Sequence, residues 1–210
     1  KLNLSRRTVV GGLAATGVAL TGGPGAAQGA PVKVGELNSY SRMAAFAVPY
    51  RNGMQLAVEQ INAAGGLSGL AGRPLEIVFR DDGATPGDAV RVAEELVTRE
   101  NVSFIAGAFL SNVGLALADF ANQKKVLYLA TEPLTDALTM ASGNPYTFRV
   151  RPNTYMQTKM LVDAAKAKGI KRWAVVAPNY EYGQSAVAAF KRLMGAAVPG
   201  FEVVAEQFPA

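Results

Sequence analysis

The chain has 210 residues, 50% of them hydrophobic and 18% charged, which is long enough for one α/β domain and part of another and too apolar for a disordered or coiled-coil chain. It contains no cysteine and no histidine, so Cys- or His-based nucleophilic catalysis, thiolate zinc sites and imidazole metal sites are excluded. The net charge of +5 owes much to Lys1, Arg6 and Arg7; without them 18 basic residues face 16 acidic ones, a balance of +2 that gives no reason to expect nucleic acid as a partner.

Residues 1–30 have the layout of an export signal. Paired arginines, Arg6-Arg7, lead into an uncharged run from Val9 to Gly23, and small residues follow from Gly25 to Ala30. The arginine pair points to the twin-arginine type. The apolar run is about 15 residues, short of the ~20 that a membrane span needs. Both Ala27-Gln28-Gly29 and the bond after Ala30 are candidate cleavage points, so the mature chain is expected to begin near Pro31.

From Val32 onward, short aliphatic runs alternate with segments of helical period. Val32 to Leu37 reads as the first strand. The helix after it is expected to turn Met54, Ala57, Val58 and Ile61 inward before Gly65-Gly66 ends it. Leu75 to Phe79 is the second strand. Thr85-Pro86-Gly87-Asp88 is a capping box with proline at the first helical position, and the helix it opens carries Ala89, Val92, Ala93 and Leu96. Val102 to Ala106 is the third strand, the helix after it carries Val113, Ala116, Leu117 and Phe120, and Val126 to Ala130 is the fourth strand. A fifth runs from Tyr146 to Val150. Such alternation predicts a doubly wound, mostly parallel sheet over residues 31–150, because parallel neighbours need crossovers and right-handed crossovers pack helices on both faces.

After Arg151-Pro152 a second α/β series begins: a helix around Met156 to Lys168, a strand from Trp173 to Ala177, a helix around Ser185 to Met194 and a strand from Glu202 to Ala205. Two strands and two helices cannot cover both faces of a sheet, so residues 151–210 are expected to be the start of an incomplete second lobe, with apolar surface exposed near Trp173 to Ala177 and Val203-Val204, and the natural protein to continue beyond Ala210.

Ligands of open parallel sheets sit beyond the carboxyl ends of the strands, where neighbouring crossovers diverge. This selects the loops at Asn38 to Val48, Phe109 to Asn112 and Thr131 to Thr135. The middle one, Gly107-Ala108-Phe109-Leu110-Ser111-Asn112-Val113-Gly114, opens a helix whose free amides and Ser111 hydroxyl suit a carboxylate. The simpler role for Ser111 is an N-cap. The glycines do not form G-x-G-x-x-G, which argues against a dinucleotide.

Several stretches in this order resemble type I periplasmic binding proteins of the leucine/isoleucine/valine class: Gly53-Met54-Gln55-Leu56-Ala57, Ile61-Asn62-Ala63-Ala64-Gly65-Gly66, Arg80-Asp81-Asp82, Gly107 to Ser111, and Tyr180-Glu181-Tyr182-Gly183. The resemblance implies two hinged lobes that close on a small ligand, the hinge lying near residues 150–152. It also implies periplasmic location, a monomer that hands its ligand to an ABC transporter permease, and neither catalysis nor a cofactor. Carried over position by position, the site residues it implies are Phe46, Leu110 through its main chain, Ser111, Asn112, Thr131, Glu132, Leu134 and Tyr182. Phe46 and Tyr182 would wall the ligand from opposite sides.

This chain has Ser111-Asn112 and Glu132-Pro133 where branched-chain amino-acid binders have Ser-Ser or Ser-Thr and Ala-Thr. Pro133 has no amide to offer a carboxylate, which moves the expected ligand away from an ordinary α-amino acid. The Glu132-Pro133-Leu134-Thr135 turn and the Asn179-Tyr180-Glu181-Tyr182-Gly183 loop resemble those of carriers of aromatic or other carboxylic acids, which is the ligand class this resemblance implies. An extracytoplasmic sensor domain is the alternative reading. A secreted enzyme on a Rossmann-like sheet is disfavoured by the missing His, Cys and nucleotide fingerprint.

Other residues carry simpler expectations. Asp81-Asp82 would form a solvated turn, since adjacent strand residues point to opposite faces and rarely serve one reaction centre. Glu181 would be a solvated loop residue, with binding of a ligand amine as the sharper possibility. Arg149 and Arg151 would tie the hinge or meet a carboxylate. Trp173 would be core.

Overall fold

The computed structural model describes residues 29–209. Nearly all of the expected export segment, 1–28, therefore lies outside the described residues. The elements follow the expected alternation: β1 (Val32–Asn38), α1 (Ala44–Ala63), β2 (Leu75–Asp81), α2 (Pro86–Thr98), β3 (Phe104–Gly107), α3 (Ser111–Lys124), β4 (Tyr128–Ala130), β5 (Thr147–Arg149), α4 (Thr154–Ala167), β6 (Arg172–Val176), α5 (Glu181–Ala197) and β7 (Glu202–Gln207), with 3-10 turns at Ser68–Leu70 and Asp136–Thr139. Strands β3 and β4 start later than their apolar runs, because Val102 and Val126 lead into the ladder without joining it, and β5 is one residue shorter at each end.

The first five strands form one sheet in the order β2-β1-β3-β4-β5, and every pairing in it is parallel. One side packs on α2 and α3. There Leu37, Ile105, Tyr128 and Ala130 meet Leu96, Val113 and Leu117 in a single buried cluster. Tyr128 is fully buried, and its hydroxyl donates to the Gly107 carbonyl at 3.0 Å, which satisfies the one polar atom it brings inside. Helix α2 starts as expected: Thr85 accepts from the Asp88 amide at 3.2 Å, its hydroxyl donates to the Asp88 carboxylate at 3.0 Å, and Pro86 follows the cap.

Helix α1 lies on the opposite face, over β2, where Val58 shares a shallow cavity with Leu75, Ile77 and Phe79. It buries less than its pattern predicts. Ala57 is exposed, Met54, Val58 and Ile61 are only half-buried, and Ala47 is the helix's only fully buried residue. The helix spans one edge of this face and leaves the other edge without a helix among the described residues, so Phe148 on β5 stays 54% exposed.

Strands β6 and β7 form a second, two-stranded parallel sheet with α4 and α5 packed on each other. Its small core joins Val162, Met194 and Val198 to Trp173, Phe190 and Phe201. Trp173 packs edge-on against Phe190 at 5.5 Å and donates its indole N–H to the Ile170 carbonyl at 2.9 Å, the core role expected of it. The anticipated uncovered apolar surface is present at Val176 and Val204, which are exposed.

Candidate functional site

The sheet order puts β1 and β3 side by side while their chains leave in opposite directions, β1 toward β2 and β3 toward β4. The crevice between their carboxyl ends is thus the switch point at which such sheets bind ligands. Phe46, at the start of α1, and Phe109, in the loop after β3, stack across it with ring centroids 5.2 Å apart and planes 26° from parallel.

Beside this stack is a cavity of about 400 Å³ lined by Phe46, Phe109, Ser111, Glu132, Leu134, Arg151, Tyr180 and Tyr182. Five of the residues expected from sequence, Phe46, Ser111, Glu132, Leu134 and Tyr182, therefore share one cavity. Leu110, Asn112 and Thr131 are not among its lining residues. Leu110 instead packs side-on against the main core, the Asn112 Oδ1 is buried without a partner, and Thr131 accepts a 2.9 Å hydrogen bond from the Tyr50 hydroxyl. The cavity adds Phe109, Tyr180 and Arg151: Phe109 opens a loop selected from sequence and Tyr180 opens one of the resembling stretches, yet neither was expected as a site residue, while Arg151 was expected to tie the hinge or meet a carboxylate. A larger cavity, about 520 Å³ around Asp136, Met140, Tyr155 and Arg192, takes no residue from the loops after β1 or β3 and so lies away from the switch point.

Ser111 does not cap α3. The cap position is Leu110, whose side chain makes no capping bond. The Ser111 Oγ, nearly fully buried, instead accepts from the Leu134 and Thr135 amides at 3.1 and 3.2 Å, so it stitches the turn after β4 to the start of α3. Both lone pairs are engaged and its own hydrogen remains to be donated. The first i−4 bond of α3 runs from the Gly114 amide to the Leu110 carbonyl, so the amides of Ser111 to Val113 form the free donor end of the helix. Two glycines permit this assembly. Gly107 has φ +110°, and a Cβ there would stand 2.2 Å from the Leu37 carbonyl oxygen; a Cβ on Gly114 would stand 2.5 Å from Pro133.

The turn after β4 has few donors left. Pro133 has none, and the amides of Leu134 and Thr135 are spent on Ser111. The Arg149 guanidinium donates to the Pro133 and Thr135 carbonyls, so it ties the turn after β4 to β5 rather than tying the hinge as expected. Glu132 accepts from the Asn38 side-chain amide at 3.0 Å and faces Arg151 at 3.6 Å. Burial raises its carboxyl above the usual carboxylate range, held back by Asn38 and Arg151.

Below this turn, the fully buried Glu36 carboxyl is pushed up to about 8 by burial, although hydrogen bonds from Tyr40 and Asn38 oppose the shift. Its Oε2 accepts from the Tyr40 hydroxyl at 2.5 Å, and its Oε1 has no partner. No feature of the sequence singled it out.

Two acidic residues differ from expectation. Asp81 is exposed, but Asp82 is fully buried. It accepts from the Ser39 hydroxyl at 2.7 Å and the Ala84 amide at 2.8 Å, and so clasps the loop after β1 to the end of β2. Burial raises the Asp82 carboxyl against these bonds. Glu181 is likewise not simply solvated. It opens α5 and accepts from the buried Thr135 hydroxyl at 2.6 Å. Ser185, one turn on, donates to Asp136 at 3.1 Å and lies 2.6 Å from the Thr154 hydroxyl. Tyr180 and Tyr182, flanking Glu181, bring their rings within 6.0 Å of each other, so the cavity has one aromatic pair from the first-sheet loops and another from the start of α5.

A doubly wound sheet followed by a second α/β sheet, with a cavity at the switch point where the two meet, is the architecture of a periplasmic binding protein. The profile of that family, described as periplasmic binding protein, matches residues 31–210, and the chain belongs to it. Among individual proteins, it is similar to the Leu/Ile/Val-binding protein homolog 3 of Brucella melitensis, at 29% identity over 150 residues, 71% of this chain and 39% of that one. A solute-binding protein of an ABC transporter from Rhodopseudomonas palustris BisB5, solved with 3,4-dihydroxybenzoic acid, superposes with a TM-score of 0.74 at 27% identity, over 85% of this chain and 47% of that one. The substrate-binding protein of a branched-chain amino-acid transporter from Streptococcus pneumoniae, solved with isoleucine, superposes with a TM-score of 0.72 at 26% identity, over 86% and 50%. The chain thus spans half or less of the length of these relatives.

Proposed function

We propose that this chain belongs to the ligand-capturing component of an ABC-type uptake system, working in the periplasm as a monomer that presents its ligand to a membrane permease and catalyses no reaction. Residues 31–150 form one lobe and the chain from residue 151 begins the other, joined by a hinge near residues 150–152. Ligand contacts made with both lobes supply the differential affinity that favours the closed form. The ligand is a small carboxylate with a planar aromatic ring. Its carboxylate is received by the free amides of α3 and the Ser111 hydroxyl, and its ring lies between the two aromatic pairs.

The observation that carries this reading is the Phe46–Phe109 stack facing the cavity that Tyr180 and Tyr182 line from the other side. The relative solved with dihydroxybenzoic acid supports an aromatic acid. The relatives named for, or solved with, branched-chain amino acids make leucine and isoleucine the competing ligands. The test is thermal melting of the full-length protein with benzoates, leucine and isoleucine. A rise in Tm with benzoates at concentrations where the amino acids do nothing is expected. A rise with leucine alone would overturn the aromatic reading, and no rise with any small carboxylate would overturn the receptor reading.

A further inference from the structure

Glu132 is an unusual wall for a site that receives an anion. Its side chain is only 12% exposed, yet it lines the cavity. One carboxylate oxygen, Oε2, is taken by the Asn38 amide at 3.0 Å. The other, Oε1, has Arg151 as its partner at 3.6 Å, which is an ion-pair distance and beyond a hydrogen bond. Glu132 thus brings to the cavity wall a carboxylate held by two partners, one of whose oxygens has no hydrogen-bond donor of its own. Such an oxygen attracts a donor and repels a second anion.

The chemistry of that donor follows from what else is present. An α-ammonium group brings three N–H donors and needs about three acceptors. Glu132 is the one carboxylate among the residues that line the cavity, and the nearby Pro133 and Thr135 carbonyls each already accept from Arg149. A phenolic hydroxyl brings a single donor, which Oε1 matches. We infer that Glu132 is a specificity-determining residue that reads a ring hydroxyl, so that the site prefers hydroxylated aromatic monocarboxylates over their unsubstituted, methylated or dicarboxylate counterparts. This inference rests on the aromatic-acid reading above and narrows it.

Titration calorimetry on the full-length protein tests it with benzoate, 3- and 4-hydroxybenzoate, the corresponding methoxybenzoates, and phthalate. One hydroxybenzoate is expected to bind about tenfold or more tightly than benzoate, the gain of a hydrogen bond to a charged acceptor. Methylating that hydroxyl should abolish the gain, and phthalate should bind more weakly than benzoate. In Glu132→Gln the ratio of hydroxybenzoate to benzoate affinity should fall to within about threefold, whatever the change in benzoate affinity itself. The methoxybenzoate comparison needs no variant and decides the matter if Glu132→Gln fails to fold. Equal binding of benzoate and both hydroxybenzoates would overturn the role of Glu132 and leave the aromatic-acid reading standing. A hydroxyl preference undiminished in a folded Glu132→Gln would overturn it too. Absence of binding by every benzoate would overturn both.

Discussion

Replacing Glu36 with glutamine tests the electrostatics beneath the cavity. The Glu36 carboxyl rises from an ordinary 4.5 to about 8 in the folded chain, chiefly by burial. Across that window the folded protein holds a proton that the unfolded protein has released, so stability falls as pH rises, by about 1.4 kcal/mol per pH unit where the difference is complete. The contribution is fully present below pH 4.5 and lost once pH has passed about 8. At pH 7 the accumulated cost is about 3 kcal/mol. Glutamine has the same shape, can accept from Tyr40 as the carboxyl does, and leaves one atom unpartnered just as the carboxylic acid does. It has no proton to gain. Glu36→Gln should therefore be about 2–3 kcal/mol more stable than wild type at pH 7 and no more stable at pH 4.5, a Tm rise of roughly 5–10 °C for a chain of this size. Urea denaturation followed by circular dichroism at pH 4.5, 6, 7 and 8.5 measures the difference directly. A variant whose advantage does not grow with pH would refute the reasoning, whatever its absolute stability.

Three other substitutions follow from the geometry. Gly107→Ala forces a Cβ to 2.2 Å from the Leu37 carbonyl oxygen at a φ of +110°; a loss of more than about 3 kcal/mol is expected in urea midpoints, and a loss under 1 kcal/mol would show that the strands part easily there. Ser111→Ala strands the Leu134 and Thr135 amides and should cost about 2–4 kcal/mol together with weaker ligand binding, seen as smaller ligand-induced Tm shifts; full stability would mean water replaces the hydroxyl. Thr135→Val removes the donor to Glu181 and the acceptor of the Ala137 amide, with an expected loss of about 1–3 kcal/mol. Hydrogen exchange at the start of α5 should speed up more than in α2, and equal protection in both would refute the link.

The fold was legible because its signals are local. Thr85, Pro86 and Asp88 lie within one turn of each other, and the capping box formed as read. Strand ends and helix starts then picked out the loops that surround the cavity. The misreadings came from contacts distant in sequence. Ser111 looks like a cap until Leu134 and Thr135 are brought to it, and Asp82 looks like a solvated turn until Ser39 closes over it. Glu181 looks exposed until Thr135 meets it. Glu36 sits in a strand between Phe79 and Ala106, where nothing in the local pattern marks a carboxyl as buried. The weak burial of α1 has the same origin: a periodic apolar stripe records that a face expects cover and not how much of it this stretch of chain supplies.

The stitch made by Ser111 also bears on how binding can be timed. Because one hydroxyl oxygen joins the start of α3 to the turn after β4, and Arg149 holds that turn from below, the floor of the cavity behaves as a single rigid piece assembled during folding. Its ordering entropy is already spent before a ligand arrives. On the proposed two-lobe reading, the part that must move for release is the start of α5 with Tyr180 and Tyr182, which has to break the Thr135–Glu181 bond, so residence time should depend on how long that aromatic side stays down, while the floor sets which carboxylates can land at all.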